Sequence, residues 1–372
     1  MKIYNSLTKR VEQFIPLKEK GIKIYVCGIT PYDTTHLGHA FTYVFFDVLV
    51  RYLQFKQYKV TYVQNVTDID DDVLRKAKKQ KRDWRELGDF WTKNFLKDMK
   101  SLNVLPPTHY VKATDSITLM IRIIRVLIDK GFAYQKEGNV YFDVGKFKDY
   151  GNLSHFTKKQ MILISKERGA DPNDPLKKNP LDFILWQKRK ENEPFWESPW
   201  GKGRPGWHIE CSAMINQYLG EQISIHGGGR DLIFPHHESE IAQSESYTGK
   251  RPFVKYWMHT AMLIYQGEKM SKSLGNLVMV SDLLRKYCAN EIRYVLLSHH
   301  YRKPWEFEEK ELLEARKSLF LIYKSLHDKQ DPSATKDFLA AMNNDLDTPK
   351  ALEVLKQNSL KMFFSILGFS SE

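Results

Sequence analysis

The chain has 372 residues, 42% hydrophobic and 27% charged, which excludes a disordered solvating polypeptide and leaves room for two or three domains of roughly 150 residues each. Lys and Arg number 57 against 45 Asp and Glu, a net charge of +12 that favours a polyanionic partner such as nucleic acid. Three widely spaced cysteines, Cys27, Cys211 and Cys288, exclude a disulfide framework and suit a reducing compartment.

The opening "MKIYNSLTKRVEQF" lacks the charged-then-apolar layout of a secretory leader, and "ITLMIRIIRVLI" is interrupted by Arg122 and Arg125. A soluble, cytoplasmic protein with no membrane partner is expected. "GIKIYVCGI" (21–29) reads as a strand, "HAFTYVFFDVLVRYLQFKQY" (39–58) has helical spacing, and "KVTYVQNVTDID" (59–70) returns to strand character. Strand, glycine turn, helix and strand begin a βαβ unit. In "NVTDIDDDVLRKAKK", Thr67 and Asp68 stand where the next helix would begin, with acids suited to its dipole. The pattern breaks at Pro106-Pro107, and "TDSITLMIRIIRVLIDKGFAY" predicts a helix closed by Gly131. "NVYFDV" predicts a strand, and a Lys-, Pro- and Trp-rich irregular stretch then reaches residue 204, as an insertion between two halves of one sheet. "QISIHGGGRDL" and "VKYWMHTAMLIY" resume as strands, and "DLIFPHHESEIAQS" reads as the opening of a helix. From "SDLLRKY" to the end, through "KELLEARKSLFLIYKSL" and "FLAAMNNDLDTPKALEVLKQ", the spacing is helical. Cys288 falls in this region as an ordinary helix residue.

Two segments suit phosphates. "HLGH" (36–39) follows the turn after the first strand, where helix N-terminal N–H groups face anions; His36 and His39 share a face and Gly38 admits a flat base. "GEKMSKSLGN" (267–276) sets Lys269 and Lys272 between glycines, as a loop that neutralises a polyphosphate requires. Candidate metal ligands are scattered: Cys27, Cys211 in "GWHIECS", and the histidines and acids of "PHHESE". His236 and Glu240 are four apart and would stack on one helix face, but spacing leaves His236 against His237, and Glu238 against Glu240, open. Two thiolates, an imidazole and a carboxylate suit Zn²⁺. Gly229 and Asp231 follow a strand, where glycine permits close approach and a carboxylate can accept from ribose hydroxyls.

"HLGH" with "KMSKS" resembles the signature pair of class I aminoacyl-tRNA synthetases, with Leu37 in place of the usual isoleucine. "YVCGITPYDTTHLGHA", "NVTDIDDDVLRKA", "RPGWHIECSAMINQYLG", "IHGGGRDLIFPHHESEIAQS" and "KMSKSLGNLV" resemble the cysteinyl-tRNA synthetase family in particular. The resemblance implies an α/β fold, a Rossmann-like doubly wound parallel sheet with a connective insertion and a C-terminal α-helical region. The implied boundaries are 1–110 and 205–280 for the two halves of the catalytic domain, 111–204 for the insertion, and 281–372 for a helical region. That region looks shortened, and an anticodon-reading module is expected to be absent.

The same resemblance selects Cys27, Cys211, His236 and Glu240 as ligands of one zinc ion that binds the substrate's sulfur. It places Thr67 and Trp207 at the amino acid, and Gly38, Gly229, Asp231, Met270 and Lys272 at the nucleotide. His36, His39, Lys269 and Lys272 then hold the phosphates of ATP, which arrives with Mg²⁺. The implied partners are L-cysteine, ATP and tRNA(Cys), with a monomer expected. Because zinc distinguishes a thiolate from a hydroxyl better than a hydrophobic pocket could, no editing domain is expected. The alternatives are a related ligase joining activated cysteine to an amino sugar, and a non-catalytic RNA-binding relative with a structural zinc.

Overall fold

The computed structural model describes residues 1–17, 21–33, 35–270, 274–329 and 331–370. The chain starts with a small antiparallel pair, β1 (Lys2–Asn5) and β2 (Arg10–Gln13), and then enters β3 (Gly21–Ile29), α1 (Leu37–Phe55) and β4 (Lys59–Val66). Two helices, α2 (Asp71–Gln80) and α3 (Trp84–Ser101), lead to β5 (His109–Lys112) and α4 (Ile117–Asp129). Next come β6 (Ala133–Lys136), β7 (Asn139–Phe142), α5 (Lys158–Glu167), β8 (Phe183–Lys188) and β9 (Gly203–Pro205). The second half carries α6 (Trp207–Tyr218), β10 (Ile223–Gly229), α7 (Glu238–Thr248), β11 (Val254–Thr260), β12 (Leu263–Tyr265) and β13 (Glu268–Lys269). After α8 (Val280–Leu283), α9 (Ala289–Leu297) and β14 (Trp305–Glu306), the chain ends in α10 (Lys310–Ser325), α11 (Pro332–Asn343), α12 (Thr348–Asn358) and α13 (Lys361–Ile366).

The central sheet has five parallel strands in the order β11-β10-β3-β4-β5. The chain winds from β3 outward to β5, returns, and winds the other way through β10 and β11. The strand order therefore reverses between β3 and β10, and a crevice opens beyond their carboxyl ends. Alternate residues of β3 serve opposite faces of the sheet: Ile24 and Val26 join the core containing α1 and the C-terminal helices, while Tyr25 and Cys27 join the core containing α4 and α6. Helix α1 is apolar almost all round and is correspondingly buried, packing against β4, β10, β11, α9 and α13.

Several segments differ from the sequence expectation. The helix expected from Thr67 begins at Asp71, with Asp70 as its cap, because the Thr67 N–H still bonds the Ile29 carbonyl at 2.9 Å and extends the sheet. The stretch read as irregular before residue 204 holds α5, β8 and β9, and β6 to β9 form a four-stranded antiparallel sheet. The apolar run 254–265 divides between β11 and β12, the latter in a separate sheet with β13 and β14. "SDLLRKY" supplies only the short α8, and Cys288 is an exposed cap of α9 rather than an interior helix residue. No described helix is long and apolar enough to cross a membrane.

Candidate metal and nucleotide site

Three separated segments meet at the crevice. Cys27 comes from the end of β3, on the face that α6 covers, and Cys211 lies on the second turn of α6. His236 lies in the irregular turn before α7, and Glu240 in the first turn of α7. The backbone of 231–237 is not the regular helix its spacing suggested: a 3₁₀ turn (Arg230–Leu232) and a wider turn (Ile233–His237) precede α7, and Phe234 is extended. His236 and Glu240 nevertheless face each other, Nε2 to Oε1 at 3.2 Å.

The donor atoms are close enough for one ion. Cys27 Sγ lies 3.9 Å from Cys211 Sγ and 3.9 Å from Glu240 Oε1, and His236 Nε2 lies 3.4 Å from Cys211 Sγ. Tetrahedral zinc with ordinary bond lengths requires separations of about 3.8 Å between sulfurs, about 3.5 Å from sulfur to nitrogen or oxygen, and about 3.4 Å from nitrogen to oxygen. A second overlapping set, Cys27, His226, His237 and Glu240, also gathers within 4.8 Å. There His237 Nε2 is 3.2 Å from Cys27 Sγ but 3.9 Å from Glu240 Oε1, a poorer tetrahedron with only one thiol. The first set therefore fits zinc better in both geometry and softness. Glu238 is spoken for elsewhere: its carboxylate accepts from the backbone N–H groups of Leu153 and Ser154 at 3.3 and 2.8 Å.

All four residues of this set are buried. Burial raises the pKa of Cys27, Cys211 and Glu240 and lowers that of His236 and His237, so without an ion the cluster favours neutral forms. Metal uptake must then displace protons from the thiols and the carboxyl.

A layer of histidines surrounds the donors. His226 Nε2 lies 3.0 Å from Glu240 Oε2, His208 Nδ1 3.0 Å from His236 Nδ1, and His237 Nδ1 2.8 Å from His259 Nε2, which continues to Ser6 Oγ at 2.8 Å. Burial depresses His208, His226 and His259 to about 3, leaving neutral rings that can orient ligands without adding charge. Trp207 stacks on His236 at a centroid distance of 4.3 Å and so walls the metal side of the crevice. Sequence reasoning missed His208, His226 and His259 as parts of the site, and held His237 only as an alternative ligand to His236. Their signal was faint, since the register that sets His259 beside Gly228 depends on β10 pairing with β11.

The rest of the crevice is built around the turn after β3. Gly28 donates its N–H to Asn65 Oδ1 at 2.8 Å, and a Cβ there would fall 1.5 Å from the Asn65 carbonyl oxygen, so only glycine fits. Asn65 also donates to Thr67 Oγ1 at 3.2 Å, holding that buried hydroxyl in place. His36 caps α1, its Nδ1 accepting the His39 N–H at 3.3 Å, and the two rings stack 3.6 Å apart. A Cβ on Gly38 would fall 3.0 Å from His36 Nδ1. Leu37 N–H bonds the Val278 carbonyl at 2.8 Å, and Val280 N–H bonds the Thr35 carbonyl at 2.9 Å. The segment leaving the lysine loop is thus paired to the histidine motif, which brings the two signatures together.

Lys269 is exposed on β13, while the Met270 side chain is anchored in the main core and its N–H bonds the Leu263 carbonyl at 2.9 Å. Lys272 lies outside the described residues. Gly229 ends β10 two residues before Asp231, whose carboxylate pairs with Arg168 at 3.1 Å.

Comparison with known proteins gives a consistent relationship. The family model described as "tRNA synthetases class I (C) catalytic domain" matches residues 13–317. The chain is 46% identical to a cysteine–tRNA ligase of Thermococcus onnurineus, over 95% of this chain and 78% of that protein. It is 47% identical to one of Legionella pneumophila, over 99% and 84% respectively. Among solved structures, it superimposes on Mycobacterium tuberculosis methionyl-tRNA synthetase in complex with methionyl-adenylate with a TM-score of 0.67, at 15% identity, over 92% of this chain and 82% of that one. A putative arginyl-tRNA synthetase from Campylobacter jejuni gives 0.59 at 12% identity, over 94% and 93%. At these identities the structural likeness speaks to the fold.

Proposed function

The chain belongs to the cysteine–tRNA ligase family of class I synthetases, and on that premise we propose that it activates L-cysteine with ATP and passes the cysteinyl group to the terminal adenosine of tRNA(Cys). The observation that carries this reading is the convergence of Cys27, Cys211, His236 and Glu240, at zinc-compatible separations, beside the histidine motif at the switch point of the sheet. In the first step the cysteine carboxylate attacks the α-phosphorus of ATP, and pyrophosphate leaves. In the second, a ribose hydroxyl of the RNA takes the acyl group and AMP leaves.

The site's own residues act by placement and charge. Trp207 and Thr67 bound the amino-acid pocket, Trp207 with its indole face against His236 and Thr67 with its hydroxyl held by Asn65. Cys27, Cys211, His236 and Glu240 would hold a zinc ion, which when bound would supply a Lewis acid favouring the thiolate of the substrate over any hydroxyl. His36 and His39, with the N-terminus of α1, face the triphosphate, whose Mg²⁺ enters with the nucleotide. Gly38 and Gly229 admit the nucleoside to the backbone, and Asp231 accepts from its ribose. Met270 anchors the loop whose Lys269 and Lys272 neutralise the phosphates. Residues 1–110 and 205–280 serve as halves of the catalytic domain, 111–204 as the connective insertion and 281–372 as a helical region.

Cysteine-dependent exchange of labelled pyrophosphate into ATP tests this reading. The expected outcome is exchange with cysteine, none with serine at equal concentration, and acyl transfer to tRNA rather than to an amino sugar. Absence of exchange at saturating cysteine and Mg²⁺ would contradict it, and transfer to the sugar alone would redirect it to the related ligase.

A further inference from the structure

The cationic turn between α2 and α3 has no place in the chemistry above, yet it lies on the same edge of the sheet. Helix α2 leaves the carboxyl end of β4, and α3 returns to the start of the parallel strand β5, so the beginning of α3 stands at the carboxyl edge. Two contacts agree. Gly88 of α3 faces Pro31, a Cβ there meeting Pro31 Cγ at 3.7 Å, and Lys76 of α2 pairs with Asp33 at 2.8 Å. Pro31 and Asp33 belong to the turn that leads into His36.

Between residues 75 and 85 this hairpin carries Arg75, Lys76, Lys78, Lys79, Lys81, Arg82 and Arg85. Among the described residues, ion pairs within the run reach only Arg75, which meets Asp72, and Lys76. Asp83, the acid inside the run, is engaged as the cap of α3 through the N–H groups of Arg85 and Glu86. Lys78, Lys79, Lys81 and Arg82 are exposed, and among the described residues none of them forms an ion pair with a carboxylate. Flat groups interleave with the charges. The Arg82 guanidinium sits 5.4 Å over the Phe90 ring, Arg85 sits 4.4 Å over Trp84, and Phe90 is 47% exposed.

We propose that this α2–α3 face is a docking surface for the phosphate backbone of the RNA substrate near its reactive end. Lysines at the rim that form no ion pair among the described residues gain by displacing condensed counterions from phosphates, and the exposed Phe90 ring beside Arg82 offers a stacking platform to an unpaired base. From Lys76 to Lys81 the helix advances about 8 Å, so a strand whose terminal nucleotide reaches the histidine motif meets these cations within a few nucleotides. The inference rests on the RNA-charging reading for the identity of the RNA.

The test is the salt dependence of binding of a tRNA(Cys) transcript to the full chain, compared with a variant carrying Lys78→Gln, Lys79→Gln and Lys81→Gln. The variant is expected to bind on the order of 10-fold more weakly near 0.1 M salt, with the slope of log K against log salt shallower by about 2 to 3. A charge-matched variant on the insertion, Lys136→Gln with Lys146→Gln and Lys148→Gln, controls for net charge and retains the parent slope. Equal affinity and slope for the α2–α3 variant and the parent would overturn the proposal, as would an equal loss in both variants. Pyrophosphate exchange is followed in parallel. If the parent fails to exchange, the charging reading fails, whereas unchanged binding in a variant that exchanges normally sinks only the docking surface.

Discussion

Cys211→Ser is expected to abolish stoichiometric zinc and to lower cysteine-dependent exchange at least about 100-fold, since losing a ligand costs more than the 10- to 100-fold of losing a supporting residue. A serine hydroxyl matches the thiol in outline but is far harder to ionise and is a poor soft ligand. Because Cys211 stands 3.9 Å from Cys27 and 3.4 Å from His236, its loss leaves the other donors without the charge and softness that hold the ion. Discrimination between cysteine and serine should collapse with it. A polar group that reads its substrate directly sustains ratios of about 10⁴ or more, whereas a pocket recognising shape alone sustains about 10². Metal analysis with exchange kinetics on both amino acids checks this. Full zinc content with unchanged selectivity would remove Cys211 from the site.

Asp47→Ala is expected to destabilise the fold by about 3 to 5 kcal/mol, because it strands a buried guanidinium. Arg293 and Asp47 are both fully buried and form an ion pair between α1 and α9. Burial works against the Arg293 charge, and Asp47 works for it. The guanidinium also donates to the carbonyls of Leu367 at 2.6 Å and Leu102 at 2.9 Å, while the other Asp47 oxygen accepts the Leu105 N–H at 2.8 Å. Gly368 approaches so closely that a Cβ would fall 2.0 Å from the guanidinium, and its φ of +73° also calls for glycine. This knot joins the helix that carries the histidine motif to the C-terminal helices. Replacing both partners, as Asp47→Leu with Arg293→Met, should cost less than Asp47→Ala alone, since no fully buried charge is then left unpaired; Arg51, which also pairs with Asp47 at 2.9 Å but is partly exposed, loses that partner in either variant. Chemical denaturation of the parent and both variants measures the difference, and equal midpoints for parent and Asp47→Ala would contradict this account.

The frame of the catalytic half was legible because its signals are local. The apolar run into Cys27-Gly28, the long apolar helix, and the glycine-ended strand at 223–229 each show their type within a short window. Long-range pairing is what hid the rest. Arg293 stands 246 residues from Asp47 and reads in the sequence as one more surface cation. The antiparallel sheet of β6 to β9 was obscured because strands of three to six residues with Lys, Pro and Trp lack periodicity. Residues alone left His236 and His237 open, and the structure explains why: both rings reach the cluster, and only the quality of the tetrahedron separates them. Glu238 and Glu240 part more clearly, since the backbone that claims Glu238 belongs to a segment about 85 residues earlier, which spacing cannot show.

The central claim is that a metal held by Cys27, Cys211, His236 and Glu240 reads the substrate's sulfur. X-ray absorption at the zinc edge, on the full chain with and without L-cysteine, tests it most directly. The expected result is two sulfur neighbours in the free protein and three with cysteine, with serine leaving the count at two. A sulfur count unaltered by cysteine would contradict it.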